Sequence, residues 1–457
     1  MNMKTKKQKV RILAKSMTEG RPLPLMLQFA VPLLIGNLLQ QTYNIIDAAI
    51  VGRILGTGAL ASVGASSSVQ FLVLGFCIGS CVGFGVPVAK SFGAGKYGEM
   101  RDYIFNAMAL TGVLAVLMTV VCALLCPWIL HILSVPEEIY ENAYQYLLII
   151  FLGLPFTLLY NLLSGILRSV GDSRTPFIFL AVSTVMNIVL DLFCIVVLKW
   201  GCAGAAAATV AAQAVSGILC LIYIWKRVGL LKPERSNCRV RGRAVRDLIA
   251  MGVPMGLQYS ITAIGSMVMQ AANNSLGSVY VSGFTAGVRL KQLTMCPFDA
   301  IATAVSVFCG QNLGAGKTDR IKKGINDGIG IAVFYGAVVG LVLVFGGRTL
   351  SMIFISREAA GVLDASAQYL RCMGYFYWCL GILNVCRMST QGLGYSGRTM
   401  ISGVLEMIAR CIVSLVFVKQ FGYTAICFAD QTAWIAACCY IVPMCFLCAG
   451  KPVAKRE

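Results

Sequence analysis

Residues 25–50 read LMLQFAVPLLIGNLLQQTYNIIDAAI, and Asp47 is the one charge among them. A helix needs about 20 mostly apolar residues to cross the hydrocarbon of a bilayer, so the stretch reads as a membrane span carrying a single acid. The rest of the chain agrees. Its 457 residues are 58% hydrophobic and 12% charged, with a mean hydropathy of +0.78. A soluble domain is about 45–50% apolar and roughly 25% charged. This composition excludes a soluble enzyme, a disordered protein and a nucleic-acid-binding domain. The formal net charge is +19, but the basic residues sit in short runs between apolar stretches, as loop charge does in a membrane protein. The basic start Met1–Arg21 leads into the first stretch without a short apolar region and cleavage site, so that stretch is read as a retained span. The 19 cysteines lack disulfide-like or CxxC zinc spacing. Cys77, Cys81, Cys194 and Cys220 lie inside apolar stretches and read as reduced, buried side chains. His131 is the only histidine, which removes a histidine-based metal site and leaves no cofactor in view.

Walking outward from residues 25–50 gives twelve spans: roughly 25–50, 59–89, 104–126, 143–167, 175–198, 203–225, 247–274, 279–309, 325–346, 367–391, 399–418 and 424–448. The spans are too long for β-barrel strands and rich in Gly and Ala, which favours close helix packing. The expected fold is an all-α polytopic membrane protein. Alternate connections hold 28 Lys and Arg on one side and 5 on the other. The positive-inside rule therefore puts both termini and the long basic connection Lys226–Arg246 in the cytoplasm of a cell with a plasma (inner) membrane. That connection could contact anionic lipid headgroups, although a solvated linker obeying the orientation rule accounts for its charge as well.

The two halves repeat. Ala30-Val31-Pro32 is echoed by Gly252-Val253-Pro254, and Phe92-Gly93-Ala94-Gly95-Lys96 by Leu313-Gly314-Ala315-Gly316-Lys317. Gly171-Asp172-Ser173-Arg174-Thr175 is echoed by Gly394-Tyr395-Ser396-Gly397-Arg398-Thr399. The spacing is 221 to 223 residues throughout. Six spans per half make a parallel repeat about an axis along the membrane normal. The chain divides on this reading into an N-terminal segment 1–24, a six-helix lobe 25–225, a basic linker 226–246, a second six-helix lobe 247–448 and a tail 449–457. Gly93-Ala94-Gly95-Lys96 lacks the spacing of a P-loop, which leaves an ion gradient as the drive.

Ionisable groups inside spans are costly and mark function by default. Gln40, Asn44 and Asp47 share one helix face of span one at i, i+4, i+7. Asn187 and Asp191 pair at i, i+4 in span five, and Thr209 follows in span six. Carboxylate, amide and hydroxyl oxygens suit a hard cation such as Na⁺, while two neighbouring carboxylates can also share a proton. A hydrogen-bonded knot that only fixes helix packing is the plainer alternative. The second half does not duplicate the acids, since Asp47 maps to Met269 and Asp191 to Ser414. It holds Asp299, open to a cationic substrate or to pairing with Arg289 or Lys291, and Glu406 with Arg410, spaced for an internal ion pair. Asp430 is placed near the membrane interface at the start of the last span. Pro32 removes a helix hydrogen bond before Asp47 and marks a hinge or a static kink. Tyr43, Met255, Tyr259, Met267 and Met269 are candidates for an adaptable cavity wall, with packing or lipid-facing roles as the alternative.

These residues, with Val51-Gly52-Arg53-Ile54-Leu55-Gly56, Leu167-Arg168-Ser169-Val170-Gly171-Asp172, Gln311-Asn312-Leu313-Gly314-Ala315-Gly316 and Gln391-Gly392-Leu393-Gly394, resemble the multidrug and toxic compound extrusion (MATE) family over roughly residues 20–448. The resemblance implies export of amphipathic, often cationic compounds in exchange for Na⁺ or H⁺, with opening between two six-helix lobes. It implies a cation site at Asp47, Asn187, Asp191 and Thr209, a bending proline at Pro32, and a Glu406–Arg410 pair like that of one bacterial branch. Its second-lobe acidic site, in spans seven and ten, finds no acids here and is not carried over. Expected partners are the lipid bilayer and small cationic substrates, with no nucleic acid, and a monomer suffices. A lipid or lipid-linked-oligosaccharide flippase is the alternative that Arg289, Lys291 and Arg387 favour. A passive channel or receptor would not need the repeat.

Overall fold

The structure, a computed structural model, describes residues 16–132 and 135–450. Residues 1–15 of the expected N-terminal segment and 451–457 of the expected tail lie outside the described residues. The described chain is helical, with fifteen α-helices: α1 Pro22–Ile50, α2 Thr57–Gly93, α3 Tyr97–Ile132, α4 Glu137–Leu152, α5 Leu154–Ser169, α6 Arg174–Leu192, α7 Gly201–Arg227, α8 Gly242–Asn274, α9 Ser278–Gly314, α10 Thr318–Ser351, α11 Ala360–Tyr375, α12 Tyr377–Gly392, α13 Ser396–Ile412, α14 Val418–Phe421 and α15 Tyr423–Gly450. Pro22 opens α1 at the one helical position where a missing N–H costs nothing. Ten of these helices are long and apolar enough to cross a bilayer, or eleven when α4 and α5 count as one span bent by 45°. α11 and α12, with Asp364, Arg371 and Arg387 in 16 residues each, are not among them.

Two of the expected continuous spans, 143–167 and 367–391, are therefore broken helices. The first breaks at Gly153, just before Pro155, whose ring cannot continue the helix ladder. Gly153 is there for space: a Cβ on it would stand 2.2 Å from Cγ2 of Val210 on α7. The second breaks at Phe376, with no proline beside it. Three short π-helical segments follow buried or half-buried charges: Val51–Leu55 after Asp47, Phe193–Val197 after Asp191 and Val413–Phe417 after Arg410. Such wide turns recur at functional positions in helical proteins.

The helices form two compact units. One is Ile35–Gly256. Its α7 is rich in alanine, and buried Ala205, Ala206, Ala208 and Ala212 allow close helix approach. The basic connection after α7 is docked on α3. Asn237 and Arg241 bond the Asp102 carboxylate at 2.7 Å each, Arg101 donates to the Leu230 carbonyl, and Leu231 is fully buried. The other unit is Thr18–Leu34 with the chain from Leu257 onward. There Lys317 donates to the Thr18 carbonyl at 2.9 Å and Arg320 to the Gly20 carbonyl at 2.7 Å. Pro32 and Pro254 each stand two residues before the point where α1 and α8 pass from one unit to the other. None of the 19 cysteines is in a disulfide, and Cys77, Cys81, Cys194 and Cys220 are buried.

The repeat extends to backbone and burial. Glycines with positive φ recur in pairs: Gly56 and Gly277, Gly95 and Gly316, Gly171 and Gly394, Gly201 and Gly422. Helices α4 and α11 have 16 residues each, as do α5 and α12. Along α6 the buried residues Ser173, Pro176, Ser183, Asn187 and Asp191 correspond, 223 residues on, to buried Ser396, Thr399, Glu406, Arg410 and Ser414.

Candidate functional site

Each unit encloses a polar knot. In the first, α1 supplies Tyr43 and Asp47, α2 Gln70, α4 Tyr146, α6 Asn187 and Asp191, and α7 Thr209. The i, i+4 spacing of Asn187 and Asp191 turns both inward, at 2% and 0% exposure. Thr209 donates its hydroxyl proton to the Ala205 carbonyl at 3.1 Å, leaving its oxygen to accept from the Tyr43 hydroxyl at 3.1 Å. The Asp47 and Asp191 carboxyls face each other, Tyr146 stands near both, and Gln70 reaches the Tyr146 hydroxyl. Asp47 Oδ1, both carboxylate oxygens of Asp191 and both polar atoms of the Asn187 amide are buried without a hydrogen-bond partner. Buried polar atoms are nearly always paired, so the oxygens of this set are built to be completed by something that accepts electron pairs, while Asn187 Nδ2 is a donor and lies outside that role. A small cation or a proton does that. An apolar shell of Val51, Ala59, Tyr146, Ile150, Ile195, Cys202, Ala205 and Ala206 packs in the same unit and lowers the local dielectric, which strengthens any such interaction.

In the second knot every charged group is paired, although Ser414 Oγ is buried without a partner. Asp430, fully buried, accepts from Lys291 Nζ at 2.6 Å, the Tyr369 hydroxyl at 2.9 Å and Arg410 Nε at 3.0 Å. Arg410 also donates to Glu406 at 2.9 Å, and Arg387 donates to the other Glu406 oxygen at 2.5 Å. Arg387 further donates to Ser402 at 3.2 Å. Lys291, Asp430, Arg410, Glu406 and Arg387 thus form one alternating chain of charge. Asp430, near the start of the last span, is a centre of this chain. Lys291 and Arg387 are both bonded to carboxylates, which withdraws two of the cations that favoured a cavity for an anionic headgroup.

The residues expected to line a cavity are divided between the two units. Gln40, Tyr43, Asn44 and Met255 belong to the first unit, Tyr259 and Asp299 to the second. Gln40 and Asn44 are exposed, Tyr43 and Tyr259 half-buried, and Met255 is 1% exposed. Asp299 is exposed on α9 and makes no ion pair or hydrogen bond among the described residues, while Arg289 is exposed on the same helix. Pro32 is buried inside α1. The sequence reading did not single out Gln70, Tyr146 or Tyr369. The repeat carried a signal for the tyrosines, since 223 residues on from Tyr146 stands Tyr369. No group of three or more His, Cys, Asp or Glu side chains stands together as a metal cluster among the described residues.

Comparison with known proteins adds three findings. The protein-family model described as MatE matches residues 32–193 and again 254–416. The chain is 29% identical over 422 residues to a probable multidrug resistance protein, YpnP, of Bacillus subtilis (strain 168), covering 92% of this chain and 91% of the relative. Among solved structures it is similar to an outward-facing multidrug resistance MATE family transporter of the MOP superfamily, with a TM-score of 0.89, 20% identity, and 97% and 99% of the two chains covered. It is equally similar to MATE in complex with MaL6, at a TM-score of 0.89 and 20% identity over 98% and 99%.

Proposed function

Because the chain belongs to the MatE family, whose model matches both of its halves, we propose that it is a secondary active exporter of small amphipathic, cationic compounds. It is a transporter, not an enzyme, and works by alternating access in exchange for Na⁺ or H⁺. The observation that carries the coupling site is the set of unpartnered buried atoms on Asp47, Asn187 and Asp191. They supply negative charge and lone pairs with no protein cation to meet them. Asp47 and Asp191 would hold the ion, the Asn187 amide oxygen would add a neutral ligand, and Thr209 with Tyr43 would close one side. Na⁺ finds hard oxygen ligands here. A proton finds two carboxylates that can share it.

The architecture that goes with this reading is twelve spans in two six-helix lobes, 25–225 and 247–448. α4 with α5 and α11 with α12 each count as one broken span, both termini are cytoplasmic, and a single chain suffices. The paired positive-φ glycines and the equal lengths of α4 and α11 and of α5 and α12 support it. Asp299, exposed and unpaired, is the second-lobe carboxylate available to a cationic substrate, while Pro32 would let α1 bend.

The test is ethidium efflux from proteoliposomes under an imposed Na⁺ or H⁺ gradient, with Asp47→Asn alongside. Gradient-driven efflux that the variant loses supports coupling through this site, and the effective gradient identifies the ion. Efflux retained in Asp47→Asn at the rate of the unaltered protein rejects the site.

A further inference from the structure

The two polar knots occupy the same place in the two repeats. The offset that pairs Pro32 with Pro254 pairs Tyr43 with Gly265, Asn44 with Ser266 and Asp47 with Met269. The offset of the glycine pairs 56/277 and 95/316 sets Gln70 against Lys291, and that of 201/422 sets Thr209 against Asp430. The offset of 223 that matches burial along α6 and α13 sets Ser183 against Glu406, Asn187 against Arg410 and Asp191 against Ser414. It also sets Tyr146 of α4 against Tyr369 of α11.

Charge is inverted between them. Where the first unit has an amide at 187, the second has the Arg410 guanidinium. Where the first has the Gln70 amide, the second has the Lys291 ammonium. The space is remade to match. Gly265 stands where the first repeat has Tyr43, and a Cβ on it would already lie 3.3 Å from Arg410 Nη1. The Arg410 guanidinium thus reaches past Gly265 to Ser266 Oγ at 3.5 Å and the Thr262 carbonyl at 3.4 Å. In the first knot the oxygens of Asp191 have no partner. In the second both oxygens of Asp430 have one, supplied by the chain itself.

We propose that the second knot is a monovalent-cation site held permanently filled by the chain's own Lys291 ammonium and Arg410 guanidinium, so that the protein exchanges ions at one knot only. Lys291 is the removable plug. It is the terminal cation on the Asp430 side of the charge chain and its side chain is 15% exposed, against 9% for Arg387 at the other end and 3% for Arg410. Its nitrogen sits 2.6 Å from Asp430 Oδ2, where a free ammonium or sodium ion could take its place. This inference rests on reading the first knot as a cation site, and the experiment separates the two.

The variant is Lys291→Gln, which installs the residue that its counterpart position 70 carries, made in an Asp47→Asn background so that the first knot cannot contribute. The readout is the thermal unfolding midpoint of purified protein in choline chloride against equal concentrations of ammonium or sodium chloride. Asp47→Asn alone is expected to be indifferent to the cation. The double variant is expected to gain about 3 °C in ammonium or sodium over choline, as a ligand that binds only the folded state requires. Lys291→Arg in the same background, which keeps a tethered charge, is expected to stay indifferent. Equal midpoints in all three salts for the double variant overturn the proposal. If the double variant cannot be purified in choline, purification in ammonium chloride must recover it, and failure in both salts also overturns it. A cation effect in the double variant, with none in the unaltered protein, would support this inference and leave the proton as the ion of the first knot.

Discussion

Asp430 and Asp191 are both fully buried carboxylates inside helical units, and removing the charge of each is expected to have opposite effects on stability. Asp430 accepts from Lys291, Tyr369 and Arg410 at 2.6–3.0 Å. Asp430→Asn keeps one acceptor oxygen but turns an N–H₂ group toward donors, and it leaves three cations against Glu406 alone. Breaking a buried, hydrogen-bonded ion pair by removing one partner costs about 3–5 kcal/mol, because the remaining charge stays desolvated. At about 2–4 °C per kcal/mol for a unit of this size, the unfolding midpoint should fall by roughly 10 °C. Asp191→Asn removes a charge that no protein cation meets and that faces the Asp47 carboxyl, so its midpoint should hold or rise while gradient-driven efflux is lost. The assay is thermal unfolding of each purified variant in one detergent, with efflux measured on the same preparations. A fall of less than about 1 kcal/mol for Asp430→Asn, or an equal fall for both variants, would refute the contrast between a filled and an open knot.

Tyr43→Phe removes the hydrogen bond to Thr209, which should cost about 0.5–1.5 kcal/mol and slow efflux without abolishing it. A rate unchanged within error, with unchanged stability, would show that the bond does nothing for the site. Gly153→Ala places a methyl 2.2 Å from Val210 and should destabilise by about 1–3 kcal/mol through overpacking. Adding Val210→Ala should recover most of that loss in unfolding measurements, and no recovery would place the strain elsewhere.

The membrane class and the repeat were legible because burial in a bilayer and duplication both leave signals in residue type and spacing. The breaks inside 143–167 and 367–391 were not, since hydropathy runs straight through Gly153 and Phe376. Gly153-Leu154-Pro155 held a proline cue for the first, while the second has no such residue. Helix-face spacing put Asn187 and Asp191 on one side of their helix and the family resemblance joined them to Asp47, but Tyr146 and Gln70 come from helices whose rotation no spacing rule fixes. The place of Asp430 in a chain of charge went unread for a similar reason. Its partners Lys291, Tyr369 and Arg410 come from three other helices. Asp299 and the cavity candidates rested on residue type alone, and the structure spreads them over both units.

The membership of Thr18–Leu34 in the second unit has a consequence in time. Lys317 and Arg320, which hold the Thr18 and Gly20 carbonyls, lie 299 and 300 residues further along the chain. A ribosome adds about 5–20 residues per second, so the opening stretch of α1 emerges roughly 15–60 s before these partners exist. Through most of synthesis that amphipathic lead must be sheltered by lipid or by the insertion machinery. The second unit therefore incorporates a segment synthesised long before the rest of it.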